Sequence, residues 1–287
     1  MALDEYALTS LANVKSYLGI SGSDDDALLT EIINRASGYI EQICDRKFAQ
    51  RDFREWYDGD GSDRLQLDAW PVFKVYRVGF GVGDALTVSG NVTGDISASI
   101  DVSMDNVSLN RIESNGNVTN SNLAYSSYNT TTELATQISS ITGFTASVVK
   151  NVSTRWLHPV GGIDVVDTSF TMTYCSDSES EYRVNYDTGS VYLRSSPHWY
   201  SGADAIEAQK YPSTRRSVLV EYQAGFSPIP YAVEQAAIEV AASIFSRKDV
   251  DENLSSESLG DYSYSLRPPQ DVMDSAQRLI WTYRKLR

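Results

Sequence analysis

Apolar residues recur with the period of a helix near the start of the chain. In residues 29–43 they return every three or four positions, which predicts a helix with one buried face. A shorter helix is predicted before it, over residues 10–18. Ser23 and Asp26 have the spacing of a capping box, and the aspartates at 24–26 complement the dipole of a helix start. A metal site at these aspartates is the alternative, but the helix start already accounts for all three.

The helical period returns near the end of the chain, in residues 233–244. The apolar positions there are mainly alanine and valine, and small side chains allow two helices to approach closely. Pro228 and Pro230 come shortly before this stretch, and proline is common in the first turn of a helix. We therefore predict a helix that lies at the centre of a helical bundle.

The middle of the chain has a period of two instead. From Ile96 to Met104 apolar and polar residues alternate, as in a strand with one buried face. Residues 144–148 and 170–174 repeat the alternation, and a short helix is predicted at 132–140. Glycine and asparagine at 89–94 and 114–122 are expected to supply turns. This pattern predicts a β-rich domain.

Other segments surround this block in a definite order. They are a strand pair at 51–57 and 64–67, a strand at 70–78, a hairpin at 182–193 and a strand-to-helix junction, Tyr-Gln-Ala-Gly, at 222–225. Together with the two helical ends, this ordered set resembles the phage head–tail connector family, also called adaptor or head-completion proteins. The resemblance covers residues 8–80 and 182–287. Residues 84–178 have no counterpart in the family pattern and are interpreted as an insertion.

The resemblance implies an α+β fold. Its expected parts are a helical bundle built from both chain ends, a small strand layer, and the inserted β-rich domain. The predicted domains are residues 1–83 and 179–287, which together form the connector domain, and the insertion at 84–178. The implied protein is a virion component made in the cytoplasm of a bacterial host. It would form a ring, typically of twelve copies, beneath the portal protein, contact a tail terminator or stopper protein, and let double-stranded DNA pass without sequence-specific binding.

Charge and composition narrow the function further. The formal net charge of −14 argues against a conventional DNA-binding surface, because contact with phosphates needs clustered cations. An acidic protein can still surround moving DNA, since repulsion keeps the duplex from adhering to a channel wall. No run of about 18 apolar residues is present, so no membrane span is predicted. Cys44 and Cys175 are isolated thiols, which is typical of a reducing compartment.

Candidate chemical motifs are weak. Asp58, Asp60 and Asp63 lie in a glycine-rich segment that resembles the start of a calcium loop, but the twelfth position of such a loop would be Ala69. An Asp/Gly-rich hairpin turn is the preferred interpretation. The glycines at 79–83 lack the Lys-Ser/Thr of a phosphate-binding loop. No catalytic residue, cofactor or metal ligand is therefore predicted.

Two histidines and one aromatic pair are candidate residues for an enzymatic or a sugar-binding function. His158 and His198 could serve a hydrolase or nuclease, but no nucleophile elbow surrounds either residue. Trp199 and Tyr200 could stack on sugars, although aromatic residues are equally expected at a subunit interface. A carbohydrate- or host-binding module of a virion, resting on the β-rich block, is the alternative function.

The C-terminal segment is the candidate portal contact. After two prolines, the pattern predicts a short amphipathic helix with acidic residues at its start and basic residues at its end, which suits the helix dipole. The predicted portal-contacting residues are Leu279, Ile280, Tyr283, Arg284, Lys285 and Arg287. The alternative is that this helix folds back onto its own bundle, because a helix this short needs its apolar side covered.

Overall fold

The protein combines helices with several small sheets, so the predicted α+β class is confirmed. The computed structural model describes residues 2–90, 93–179, 182–193, 211–213, 215–248, 256–259, 262–265 and 269–285. The helices are α1 (Leu11–Leu18), α2 (Asp26–Cys44), α3 (Thr131–Ser140), α4 (Tyr231–Phe245) and α5 (Pro269–Ile280). Short 3-10 turns span Thr154–Trp156 and Trp281–Tyr283.

Helices from both chain ends enclose one apolar core. The predicted stripe of α2 is buried at Leu29, Ile33 and Ile40, and the predicted stripe of α4 at Val233 and Ala237. Helix α4 packs against α1, α2 and α5, so it is the central helix of this group. Its alanines explain the arrangement, because small side chains let three neighbours approach one helix.

The start of α2 differs from the predicted capping box. The helix begins at Asp26, and its N-cap, Asp25, makes no side-chain capping bond. The N–H of Asp26 bonds the carbonyl of Ser23 rather than its hydroxyl (3.1 Å). Instead, Asp26 pairs with Lys15 of α1 (2.6 Å) and Asp25 pairs with Lys248 beyond α4 (2.7 Å). The capping-box prediction was wrong because the N-cap is Asp25 and not Ser23, and the carboxylates of Asp25 and Asp26 pair with lysines of other segments.

A four-stranded sheet in the order β1-β14-β3-β11 lies next to the helices. Its strands are β1 (Arg51–Tyr57), β14 (Val218–Ala224), β3 (Val72–Phe80) and β11 (Asp177–Glu179). One face of this sheet shares a second core with a three-stranded sheet of order β12-β13-β2, formed by Tyr182–Asn185, Ser190–Leu193 and Arg64–Gln66. The predicted 182–193 hairpin is thus confirmed. Strand β11 pairs with β3, so the predicted boundary at 178/179 lies inside a strand of this sheet.

The predicted pairing of 51–57 with 64–67 was wrong. Strand β1 pairs with β14 along its whole length, from Arg51 opposite Ala224 to Tyr57 opposite Val218. Strand β2 pairs with β13 in the other sheet. The aspartate-rich segment between β1 and β2 is therefore a connection between two sheets and not a hairpin turn.

The strand-to-helix junction depends on Gly225. Its φ of +115° is a conformation that suits glycine, and an added Cβ would lie 2.7 Å from the carbonyl oxygen of Ala49. The chain then passes Pro228 and enters α4, whose N-cap is Pro230, as predicted.

Residues 85–174 supply a third, separate core. It lies among a sheet of order β10-β4-β8, a sheet of order β7-β6-β5-β9, and helix α3. The strands are β4 (Gly83–Gly90), β5 (Ser97–Val102), β6 (Asn106–Ile112), β7 (Val118–Ala124), β8 (Phe144–Val148), β9 (Val160–Asp164) and β10 (Ser169–Tyr174). The predicted turn at 114–122 is shorter than expected, because residues from Val118 onward pair with β6.

Two smaller features complete the described chain. Gly79 lies within β3 and Gly83 begins β4, so the glycine-rich segment is a tight connection and no helix follows it. Near the C-terminus, β15 (Ser256–Leu259) and β16 (Tyr262–Ser265) form an antiparallel pair.

Candidate assembly surfaces

Helix α5 covers the open side of α4. Ala276 and Ile280 are each only 2% exposed and belong to the core shared by α1, α2 and α4. The hydroxyl of Ser275 donates to a carboxylate oxygen of Glu239 in α4 (3.3 Å). The helix therefore folds back onto its own helical group, which is the alternative that its amphipathic pattern left open.

The residues after α5 continue across the end of α2. We call residues 281–285 the C-terminal strap. The ring of Tyr283 lies edge-on to the rings of Phe48 (6.2 Å between centroids) and Phe226 (6.0 Å). The N–H of Lys285 donates to the carbonyl of Cys44 (2.9 Å), which is the last residue of α2. The strap thus occupies a helix end whose carbonyl groups lack partners within the helix.

An arginine beneath the strap connects three parts of the fold. The guanidinium of Arg46 lies 4.5 Å from the ring centroid of Trp70 and 5.0 Å from that of Phe226. It donates to the carbonyl oxygen of Trp70 and to that of Tyr283 (3.3 Å). Burial lowers the pKa of Arg46, and the surrounding rings offer their negative faces to its charge. The role of Arg46 was not predicted, because Trp70, Phe226 and Tyr283 are far from it in sequence.

The structure divides the predicted portal-contacting residues into two groups. Ile280, Tyr283 and Lys285 contact the protein's own body, the last through an ion pair with Asp68 (2.6 Å). Leu279 is 38% exposed, and Arg284 is exposed as well. Arg287 lies outside the described residues. A portal contact through the exposed residues stays a prediction.

The exposed side also contains Trp281, which sequence reasoning missed. It is 66% exposed, and the guanidinium of Arg284 lies 5.8 Å from its ring. Trp281 begins the 3-10 helix that follows α5, and none of the three residues of that short helix is buried. The sequence signal for Trp281 was its position just before the basic C-terminal residues, since tryptophan and arginine are enriched in protein interfaces.

A second contact surface holds the insertion against the four-stranded sheet. Arg54 of β1 donates to the carbonyl oxygens of Met104 and Arg155 and pairs with Asp105 (2.6 Å). Burial lowers the pKa of Arg54. On the neighbouring part of the sheet, Arg77 of β3 donates to the carbonyl of Cys175 (2.9 Å) and lies over the ring of Trp156 (4.2 Å). The two cores are separate, and this interface between them combines hydrogen bonds with a contact between a cation and an aromatic ring.

His158 belongs to this interface. Its ring lies 4.8 Å from the ring of Trp56, and its Nδ1 is 3.1 Å from the hydroxyl of Thr173. Burial lowers the pKa of His158, partly offset by a hydrogen bond to the backbone of Thr173. These contacts give His158 a packing role between the sheet and the insertion. His198, Trp199 and Tyr200 lie outside the described residues.

Two aspartates between β1 and β2 accept backbone hydrogen bonds, one from a distant segment and one from within the loop. Asp58 accepts the N–H of Arg216 (2.7 Å), and Asp60 accepts the N–H of Ser62 (2.8 Å). The hydrogen bonds from Ser62 lower the pKa of Asp60. In the described part of the chain, no three His, Cys, Asp or Glu side chains are grouped so that they could hold a metal ion.

The remaining expectations concern two isolated thiols and the absence of a membrane span. Cys44 and Cys175 are both buried and are not joined by a disulfide. Burial raises the pKa of the Cys44 thiol. Among the described residues, no helix combines the length and the apolar character needed to cross a membrane.

One comparison with known protein families agrees with the sequence resemblance. Residues 8–69, which span α1, α2, β1 and β2, match the family described as phage gp6-like head-tail connector protein. A comparison with curated proteins finds no match. Among solved structures, the chain is similar to one described as "Neck of empty GTA particle computed with C6 symmetry", at 13% identity, covering 100% of this chain and 94% of that chain. The TM-score of 0.38 is too low to bear on the fold. The predicted resemblance to the phage head–tail connector family is therefore confirmed, and residues 8–69 carry it.

Proposed function

We propose that this chain is a structural subunit of a phage head–tail connector. The family match at residues 8–69 is the observation that carries this proposal. The matched helices α1 and α2 share their core with α4 and α5, so the matched segment and the C-terminal segment form one body. On this proposal, copies of the chain form a ring, typically of twelve, beneath the portal protein and extend the DNA channel toward a tail terminator or stopper protein.

The proposed mechanism is assembly. In a ring, one face of the helical bundle on each subunit meets a different face of its neighbour. The net charge of −14 suits a channel wall that repels passing DNA and does not bind it.

The portal contact is proposed at the exposed side of the C-terminal segment. Three exposed side chains lie close together in sequence there: the apolar Leu279, the aromatic Trp281 and the cationic Arg284. Tryptophan and arginine are enriched among the residues that contribute most to binding. The buried Ile280 and Tyr283 would instead hold this segment in place.

The copy number in the particle tests the ring. Cryo-electron microscopy of the parent virion is expected to show a closed ring of this chain between the portal and the tail. One or two copies per virion would exclude the ring.

Point variants test the portal contact better than truncation. Removing all residues after Arg267 would also remove Ala276 and Ile280 from the core, so lost attachment would have two explanations. A Trp281→Ala, Arg284→Glu variant is expected to keep its fold and to lose attachment to portal-containing heads. Val149→Ala, at a 57% exposed position of the insertion, is the matched control and is expected to attach normally. Added salt is expected to weaken attachment of the unaltered protein. Normal attachment by the double variant would place the portal contact elsewhere.

The alternative of a carbohydrate-binding insertion gains no support from its surface. In the described residues of the insertion, every aromatic side chain is buried or half-buried. Stacking on sugars requires an exposed aromatic face.

A further inference from the structure

One edge of the insertion is open for pairing with another strand. Strand β7 is the outermost strand of its sheet and pairs with β6 over all seven residues without a bulge. The bonds from Tyr125 N to Asp105 O (2.8 Å) and from Glu113 N to Asn117 O (2.9 Å) fix which residues face β6. By the alternation of an antiparallel ladder, the N–H and C=O groups of the even-numbered residues 118–124 point away from β6.

These outward positions are accessible. The side chains of Val118, Asn120 and Asn122 are all exposed, Val118 by 58%. Within the described part of the chain, the N–H groups of these three residues have no hydrogen-bond partner. Unpaired backbone groups on a regular edge form a template for another strand.

The other long edge strands have features that block such pairing. Four of the seven residues in β1 are charged. The open edge of β8 is covered by α3, where the hydroxyl of Ser139 accepts the N–H of Ala146 (3.0 Å). The open edge of β10 is bonded by the segment before β9, through His158 N to Thr173 O (2.9 Å).

The remaining long edge strand, β9, is irregular. Its register against β5 shifts, and Gly162 has a φ of +67°. Among the described edge strands of five or more residues, β7 is therefore the one without charge, cover or irregularity.

The charge pattern favours a second copy of this chain as the partner. Residues 114–132 contain no charged side chain, although the whole chain has a net charge of −14. Two copies can therefore approach along β7 with less repulsion than elsewhere. Because β7 carries no charge, it cannot select a partner by opposite charge.

The side chains of β7 are compatible with self-pairing. An antiparallel pair centred on Ser121 places Asn120 opposite the partner subunit's Asn122. The pairing ends at Ala124, because its carbonyl already accepts the N–H groups of Ser127 (3.0 Å) and Tyr128 (3.2 Å). An amide side chain contains both donors and acceptors, so two asparagines can bond each other. No like charges face each other in this register.

We propose that two copies of the free protein pair their β7 strands antiparallel about a two-fold axis. The β7-β6-β5-β9 sheet then continues from one copy into the next. Such a contact joins two copies and does not close a ring, so it is separate from the ring interface and does not rest on the proposed function.

Sedimentation equilibrium of the full chain over a concentration series tests this proposal. The unaltered protein is expected to show a concentration-dependent monomer–dimer equilibrium. Asn120→Pro removes an outward N–H and leaves the ladder to β6 intact, since the N–H of residue 120 does not face β6. It is expected to raise the dimer dissociation constant by about tenfold or more, which corresponds to at least about 1.4 kcal/mol. Ser114→Lys, in the exposed turn before β7, is the control and is expected to leave dimerisation unchanged.

Charge complementation tests the register. An Asn120→Lys, Asn122→Lys variant and an Asn120→Glu, Asn122→Glu variant are each expected to be monomeric, because like charges then face each other. Mixing the two is expected to restore a dimer. Melting curves will show that each variant is folded, and the proline variant remains informative if a charged variant is not. A monomeric unaltered protein at every concentration, or a dimer that persists in Asn120→Pro, would overturn the proposal.

Discussion

The side-chain amine of Lys285 lies 2.6 Å from the carboxylate of Asp68 and ties the C-terminal strap to the segment between β2 and β3. The same segment is bonded from its other side by two buried tyrosines. The hydroxyl of Tyr57 accepts the N–H of Asp68 (3.0 Å), and the hydroxyl of Tyr222 accepts the N–H of Ala69 (3.1 Å). Residues 68–70 therefore connect the four-stranded sheet to the strap and to the helices.

The tyrosine hydroxyls depend on one carboxylate. Glu55 accepts hydrogen bonds from both Tyr57 and Tyr222 (2.5 Å for Tyr222). Burial raises the pKa of each tyrosine well above its usual range, so both act as neutral donors. We expect Tyr222→Phe to lower the free energy of unfolding by about 1–3 kcal/mol, because it leaves the N–H of Ala69 unbonded and Glu55 short of a donor.

Denaturant unfolding measures this change, and a surface tyrosine provides the control. Tyr76 is 47% exposed and donates to Asp52 (3.1 Å), so Tyr76→Phe is expected to change stability by no more than about 0.5 kcal/mol. Equal effects of the two variants would show that the buried network does not stabilise residues 68–70.

The strap is predicted to stabilise the helical group through Tyr283. Tyr283→Ala removes a ring that packs against Phe48 and Phe226, and it is expected to cost about 1–3 kcal/mol. Trp281→Ala, two residues earlier at a 66% exposed position, is expected to leave the melting temperature nearly unchanged. If Trp281→Ala destabilised the protein as much as Tyr283→Ala, the division of this segment into a packed side and a free side would be wrong.

Local patterns predicted the helices well and the strand pairing poorly. The stripes of α2 and α4 were readable because a buried helix face repeats within a few residues, and the structure buries Ile33 and Ala237 as expected. The pairing of β1 with β14 was missed, because the register of strands that are distant in sequence leaves no local signal. The same holds for Arg54 and Arg77, which bond backbone carbonyls of the insertion and also contact Asp105 and Trp156, both distant in sequence.

The contact between His158 and Trp56 predicts a dependence of stability on pH. Burial lowers the pKa of His158, so the folded state favours the neutral ring and the unfolded state binds the proton more readily. The stabilisation is therefore fully present above the unfolded pKa of about 6.5 and is lost as the pH falls through the lower folded pKa. We expect His158→Phe, which keeps an aromatic ring against Trp56, to reduce the loss of stability between neutral and mildly acidic pH.

Denaturant unfolding of both proteins at several pH values measures this difference. The carboxylates contribute equally to the pH dependence of stability in both proteins. The difference between the two curves of unfolding free energy against pH therefore gives the contribution of His158. Parallel curves would show that protonation of His158 is not linked to folding.

The insertion is predicted to be removable when β11 is kept. The core of residues 85–174 shares no buried residue with the other two cores. Asp177 of β11 lies opposite Phe80 of β3, so a short Gly/Ser linker from residue 82 to residue 176 has little distance to span, and loop closure costs little. This deletion is expected to retain helical circular dichroism and a cooperative melting transition. A modest loss of stability is expected, because Arg54 and Trp56 lose the contacts that cover them.

A longer deletion provides the matched comparison. Joining residue 82 to residue 181 also removes β11 and leaves β3 as an edge strand, so it is expected to melt at a lower temperature than the shorter deletion. Circular dichroism and melting curves of the two proteins measure the contribution of β11 directly. Loss of cooperative melting in the shorter deletion would show that the connector domain needs the insertion to fold, in spite of the separate cores.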